Sequence, residues 1–269
     1  MPYAGIRGQR FYYEVGGEGE FVVLLHGALA NADLLEAPAT GLASGFRAAR
    51  LDRRGCGRTT PPTDGPVPLN EEADDVLTLL DWFSIEKTHF LTHDEGAEVA
   101  LEFALRHPER TGSIALLAPS LEGFSLSPAA AVAAADLRAA LKADPVKALE
   151  EKFFASPLFD AAREREGVFE RIADIYRRFP QSPGRFDRTP RAGAALAGRL
   201  GAVSAPTFVL VGERDEEDRV RCANAIASGI PGAALAVVPD TSRFLHVEES
   251  RAVMRKLTDF FLPEPEIER

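Results

Sequence analysis

The stretch whose residue types and spacing suit chemistry is Leu91-Thr92-His93-Asp94-Glu95-Gly96-Ala97. It lies between an apolar, strand-like run at residues 89–92 and a helix-like run at residues 96–107. A strand that turns sharply into a helix lifts the central side chain of the turn clear of the sheet. It also aims the helix's free N–H groups and positive dipole end at whatever is bound there. Small residues flank such a turn because its backbone is tight and the helix packs closely. Asp94 holds the raised position, Gly96 stands two residues later, and Ala97 keeps the next position small. Thr92 departs from the pattern, standing where a glycine is expected. A carboxylate held there can attack carbon to form an ester, or can move protons without forming a bond. Its purely structural use would be as a helix N-cap, a role aspartate favours.

The elements that must position Asp94 follow from periodicity. Residues 10–15 alternate aromatic and polar side chains as an edge strand does. Residues 21–25, 46–51, 113–118, 206–211 and 235–238 are short apolar runs, as expected of strands buried on both faces. Helical patterns lie between them: one opens at Asn70 with acidic residues in its first turns, and others span 96–107, 222–230 and 249–261. Strands alternating with helices at this spacing predict an α/β fold with a mostly parallel, eight-stranded-type sheet and flanking helices. Residues 121–200 shift in composition toward Ala, Arg and Glu, with helical stretches at 129–141 and 145–154 and prolines at 157, 180, 183 and 190. This segment reads as a helical cap inserted over a core made of residues 1–120 and 201–269. The polar tail 263–269 is expected to fray.

Further motifs complete the pattern: His26-Gly27-Ala28-Leu29, Asp52-Arg53-Arg54-Gly55-Cys56-Gly57-Arg58, Arg106-His107-Pro108-Glu109-Arg110 and Val211-Gly212-Glu213-Arg214-Asp215. With the elbow, they make the chain resemble α/β-hydrolase-fold proteins nearly end to end, and the His-Asp elbow is similar to those of epoxide hydrolases and dehalogenases. The resemblance implies that the N–H groups of Ala28 and Glu95 form an oxyanion hole and that Asp215 is the acid that orients a histidine, with Asp218 as a weaker alternative. Where such families carry Gly-His, this chain reads Ser242-Arg243-Phe244-Leu245-His246-Val247-Glu248-Glu249. Arg243 therefore stands in the catalytic histidine's place. A guanidinium is always protonated and cannot accept a proton from water. The sequence thus predicts catalytic residues Asp94, Asp215 and Arg243, with Arg243 paired to Asp215, and His246 as the alternative base. His26, Leu29, His93, Phe124, Phe153, Tyr176 and Phe244 are expected around the pocket. Cap residues Phe154, Phe159, Phe169, Ile172 and Phe179 either join them or pack the cap against itself.

The residues after the nucleophile argue against named activities. Dehalogenases of this fold use Trp or Arg where this chain has Glu95, and epoxide hydrolases usually use two cap tyrosines where this cap has Tyr176. At 269 residues the chain can bury one large core, and its net charge of −10 argues against nucleic-acid binding. The arginines at 185–191 read as a solvated, helix-flanking stretch. Cys56 and Cys222 are too far apart in sequence to suggest a metal site or disulfide framework. Metal binding is not expected, and no apolar leader or membrane-spanning run is evident. The expectation is a cytoplasmic protein without metal or cofactor, acting on a small molecule, with no membrane or nucleic-acid partner and with a homodimer allowed. Three functions remain open: a non-hydrolytic enzyme catalysing elimination, cyclisation or isomerisation; an epoxide or ester hydrolase working through Asp94 with an unconventional base; and a pseudoenzyme that binds a small molecule.

Overall fold

The computed structural model describes residues 2–60, 67–178 and 195–262. Its sheet has eight strands: β1 Tyr3–Ile6, β2 Gln9–Gly16, β3 Glu20–Leu25, β4 Phe46–Leu51, β5 Thr88–His93, β6 Thr111–Leu117, β7 Thr207–Gly212 and β8 Ala234–Val238. They are ordered β1-β2-β4-β3-β5-β6-β7-β8. Only β2 runs against its neighbours; the pairs from β4 through β8 are all parallel. The helices are α1 Glu36–Leu42, α2 Leu69–Trp82, α3 Gly96–Arg106, α4 Pro128–Ala143, α5 Pro145–Ala148, α6 Asp160–Arg163, α7 Val168–Arg178, α8 Glu217–Gly229, α9 Leu245–Glu248 and α10 Ser250–Phe261. The expected α/β architecture is therefore present.

Strands β3 to β7 are largely apolar because both faces are covered, whereas β8, expected to be buried in the same way, is an edge strand with Val237 exposed. Val23, Leu25, Phe90, Leu116 and Val209 pack on one face against α2, α3 and α8. Val22, Leu24, Leu91, Ala115 and Leu210 pack on the other against α1, α9 and α10. Side chains alternate across a strand, so each parallel strand feeds two cores. A third cluster joins the helices inserted between β6 and β7 to the loops above the sheet. It includes Leu29, Leu34, Phe153, Phe159, Tyr176 and Phe244.

Several local expectations are corrected. The helix expected at 222–230 begins at Glu217, where three acidic residues, Glu216, Glu217 and Asp218, suit the dipole of its opening turn. The helix expected over 145–154 is broken: α5 ends at Ala148 and a π-helical turn covers Leu149–Phe153. Strand β1, which the alternation pattern missed, pairs with β2 as a hairpin. Phe179, Pro180, Pro183, Pro190, the arginines at 185–191 and the tail 263–269 lie outside the described residues. Among the described residues no helix is long and apolar enough to cross a membrane.

Candidate active site

β5 and α3 form the elbow. Asp94 sits at its apex with φ of 50°, a left-handed conformation that costs a non-glycine residue about 1–3 kcal/mol and is retained where surrounding structure enforces it. The enforcement is visible in two glycines. A Cβ on Gly96 would lie 2.2 Å from the Leu25 carbonyl oxygen, and one on Gly27 would lie 2.6 Å from the Asp94 Cβ. The tight approach of α3 to β3 thus requires the small residue two positions after Asp94. Asp94 does not cap the helix with its side chain. Oδ2 accepts from the Ala28 amide at 3.3 Å, and Oδ1 lies 2.9 Å from the Arg219 guanidinium and 3.9 Å from that of Arg243. Burial alone would raise the Asp94 carboxyl, but Arg219 and then Arg243 hold it well below the usual carboxylate range.

β7 ends beside this corner and delivers Asp215. Its Oδ1 accepts from Arg243 Nε at 3.3 Å and from the Glu216 amide at 2.9 Å. Its Oδ2 is buried with no hydrogen-bond partner among the described residues. Arg243 also donates through Nη2 to Glu216. Burial disfavours the charged guanidinium, yet Asp215, Asp94 and Glu216 more than compensate and raise its pKa. The loop carrying Arg243 is closed from below: the Ser242 amide and hydroxyl donate to the two Glu248 carboxylate oxygens at 2.6 and 2.7 Å. Burial raises the Glu248 carboxyl, and these bonds oppose it.

The arrangement joins ligand-facing ends of β3, β5 and β7 at the carboxyl edge of a parallel sheet, where open α/β sheets bind ligands. Residues 20–250 match the alpha/beta hydrolase fold family. The chain belongs to that family. It is 29% identical over 264 residues to "Putative carbamate hydrolase RutD" of Variovorax paradoxus (strain S110), covering 93% of this chain and 95% of that protein. It is 27% identical over 270 residues to the 2-hydroxy-6-oxononadienedioate/2-hydroxy-6-oxononatrienedioate hydrolase of Comamonas testosteroni, covering 95% and 92%. A hydrolase from Pseudomonas aeruginosa PA01 superposes with a TM-score of 0.83 at 26% identity, covering 97% of each chain.

Within this α/β-hydrolase fold the three histidines near the elbow are all packed. His26 Nε2 accepts from the Arg53 amide at 3.0 Å, so the proton resides on Nδ1, which donates to the Gly27 carbonyl at 2.8 Å. Arg53 in turn grips Glu72 through Nε and Nη2 at 2.9 and 3.1 Å, fixing the end of β3. His26 is thus a strut of the His26-Gly27 turn rather than pocket lining. His93 Nε2 donates to the Arg243 carbonyl at 3.1 Å, beneath the site, and burial lowers its pKa to about 4. His246, the alternative base, lies against His93 with ring centroids 4.8 Å apart. Burial lowers its pKa well below the usual value. One side of its ring faces the Leu34 backbone, and neither nitrogen completes a well-aligned hydrogen bond among the described residues. His246 contacts neither Asp94 nor Asp215 through a hydrogen bond.

The cap aromatics divide. Phe153 packs edge-on to Phe159 at 5.1 Å and against Tyr176 at 5.1 Å, while Phe159 stacks on Phe244 at 5.0 Å. These rings mostly pack the insertion onto the Arg243 loop, with Leu29, at φ of 59°, completing the contact. Tyr176 also lies within the electrostatic reach of Asp94 and Arg243; burial and then Asp94 raise its phenol strongly. Phe124 does not belong to this group. It packs against the sheet-side core and under Arg221, because its loop runs down beside α8. Asp218 is likewise elsewhere: it accepts from the Ser127 amide and hydroxyl at 3.0 and 2.6 Å, fastening α4 to α8. Glu95 opens α3 with its carboxylate 3.9 Å from Arg53.

Arg219 is the site residue that sequence reasoning missed. It is the third residue of α8, and a cation in a first helical turn opposes the dipole by about 0.3–1 kcal/mol. That misplacement, four residues after Asp215, becomes a signal only once α8 is known to begin at Glu217.

Proposed function

We propose that this chain is an enzyme acting on a small, largely apolar organic molecule, with Asp94 as its reacting carboxylate, in a conversion that does not consume water. The observation that carries this reading is the guanidinium of Arg243, 3.3 Å from Asp215 and 3.9 Å from Asp94. In this reading Arg243 stands in the histidine's place. Two-step hydrolysis through Asp94 would form an ester and then need a base to deprotonate the attacking water, and arginine cannot serve. A reaction in which Asp94 takes a proton from carbon and the same proton returns elsewhere needs no such base. Elimination, cyclisation and isomerisation have this form. The Ala28 amide and the guanidinium groups would stabilise negative charge growing on a substrate oxygen, and the Tyr176 phenol, within electrostatic reach of Asp94, would serve as a neutral donor.

The test is a panel of esters, lactones, epoxides and enolisable ketones, each with and without a free carboxylate, followed for conversion and by intact-protein mass. The expected result is conversion without incorporation of solvent oxygen, abolished in Asp94→Asn. Steady hydrolysis with solvent ¹⁸O entering the product would overturn it.

The relatives favour a second reading, hydrolysis. Both curated relatives are named as hydrolases, one of carbamate and one of oxo-dienedioates. In that case an Asp94 ester forms and a base other than arginine completes the cycle. A mass increase on Asp94 that persists after the substrate is removed would support attack without efficient release. Ligand binding with no conversion in either native protein or Asp94→Asn would leave only a binding role.

A further inference from the structure

Arg219 and Arg243 flank the same carboxylate but are committed very differently. Arg243 donates to Asp215 and Glu216 and is held from below by His93 on its carbonyl. Arg219 has Asp94 as its one ion-pair partner among the described residues, with Nη2 2.9 Å from Oδ1. That approach is close without being an aligned hydrogen bond, and no guanidinium N–H of Arg219 completes one among the described residues. The side chain is only 15% exposed. A mostly buried guanidinium therefore keeps a planar fork of donors without an aligned acceptor beside Asp94, and the group that matches this fork is a carboxylate taken side-on. Asp94 also has Oδ2 on the Ala28 amide, so its own carboxylate fills donors that a substrate oxygen would use.

We propose that Arg219 is the receptor for a carboxylate group on the substrate and that it reaches this group by leaving Asp94. The inference rests on the proposed function and names its substrate class: a small apolar monocarboxylate. Arg219 swings from an internal anion to an external one, and the ion pair that restrains Asp94 is broken only when the correct ligand is present. Asp94 becomes a stronger base at that moment, because the nearer of its two cations has turned away. A ligand without the carboxylate leaves Arg219 in place and Asp94 restrained.

Hexanoate is the probe, with hexanamide as its uncharged counterpart, titrated calorimetrically into native protein, Asp94→Asn, Arg219→Gln and the double variant. Removing the Asp94 charge frees Arg219, so hexanoate is expected to bind Asp94→Asn at least tenfold more tightly than native protein. Adding Arg219→Gln to Asp94→Asn should remove that gain, and Arg219→Lys, which keeps the charge but loses the fork, should recover only part of it. Hexanamide affinity should stay unchanged across the series. Thermal melts establish that each variant is folded. Equal hexanoate affinity in Asp94→Asn with and without Arg219→Gln overturns the proposal, as does hexanoate binding to Asp94→Asn no tighter than that of hexanamide. Binding needs no turnover, so this result stands apart from the substrate panel: conversion of uncharged substrates alone would sink the receptor role and spare the proposed chemistry.

Discussion

In the proposed reading, Arg243→His alters the group that separates this site from a water-splitting triad. The native guanidinium stays protonated at any usable pH. Asp94 stays ionised as well, because Arg219 and Arg243 outweigh burial and hold it below the ordinary carboxylate range. The neighbouring imidazoles do not titrate near neutrality, since burial lowers His93 to about 4 and His246 well below its usual value. Turnover that depends on Asp94 is therefore expected to be flat between about pH 5.5 and about pH 7.5. An imidazole of ordinary pKa, about 6.5, would pass from about one-tenth to about nine-tenths unprotonated over that range, and a rate carried by it would rise about tenfold. Arg243→His should introduce this acid limb, shifted upward because the Asp215 carboxylate favours the imidazolium. It should also bring ester or epoxide hydrolysis above the native level. The assay is kcat/KM against pH at constant ionic strength for both proteins on one ester and one epoxide. A tenfold limb near pH 6.5 in the native protein would refute the reasoning, because it would mean that an imidazole already does the work assigned here to a fixed cation.

Arg243→Gln strands the buried Asp215 charge and is expected to cost about 3–5 kcal/mol in urea denaturation, with Asp215→Asn on top recovering a large part of it; equal stability of single and double variants would count against the pairing. His93 binds its proton less readily folded than unfolded, so its contribution is present above about pH 6.5 and is lost as pH falls toward 4. That loss is on the order of 3 kcal/mol, and His93→Gln should flatten the stability profile across the same window. Gly96→Ala places a Cβ 2.2 Å from the Leu25 carbonyl oxygen and should destabilise by about 1–3 kcal/mol through overpacking; a neutral result would mean the elbow is looser than its geometry implies.

The elbow was readable because its cause is local. Glycine and alanine after Asp94, a strand run before it and a helix run after it are all short-range facts, and they place Asp94 at φ of 50° on the corner. The same holds for β3 through β7, whose apolar runs mark burial on both faces; the run at 235–238 misled, because β8 lies at the sheet edge and leaves Val237 exposed. Asp215 and Arg243 were found through motif register, and their 3.3 Å approach follows from two neighbouring strands ending at one edge. Arg219 escaped because helix α8 was expected to begin five residues too late, leaving it in a loop with no assigned direction. Phe124 and Asp218 were misassigned for a related reason: composition marked the insertion they adjoin but not the path of the connection, which fastens to α8.

Taken alone, the sequence determined the α/β layering, the raised carboxylate and the presence of a permanent cation in the loop after β8, because periodicity, glycine spacing and side-chain chemistry are properties of neighbours along the chain. Only the tertiary structure decided that a second guanidinium lies 2.9 Å from Asp94, that His246 turns inward onto His93, and that the Ala28 amide is occupied by Asp94 itself. Those are meetings between elements distant in the chain. Their energies depend on separation and burial, which no residue carries by itself.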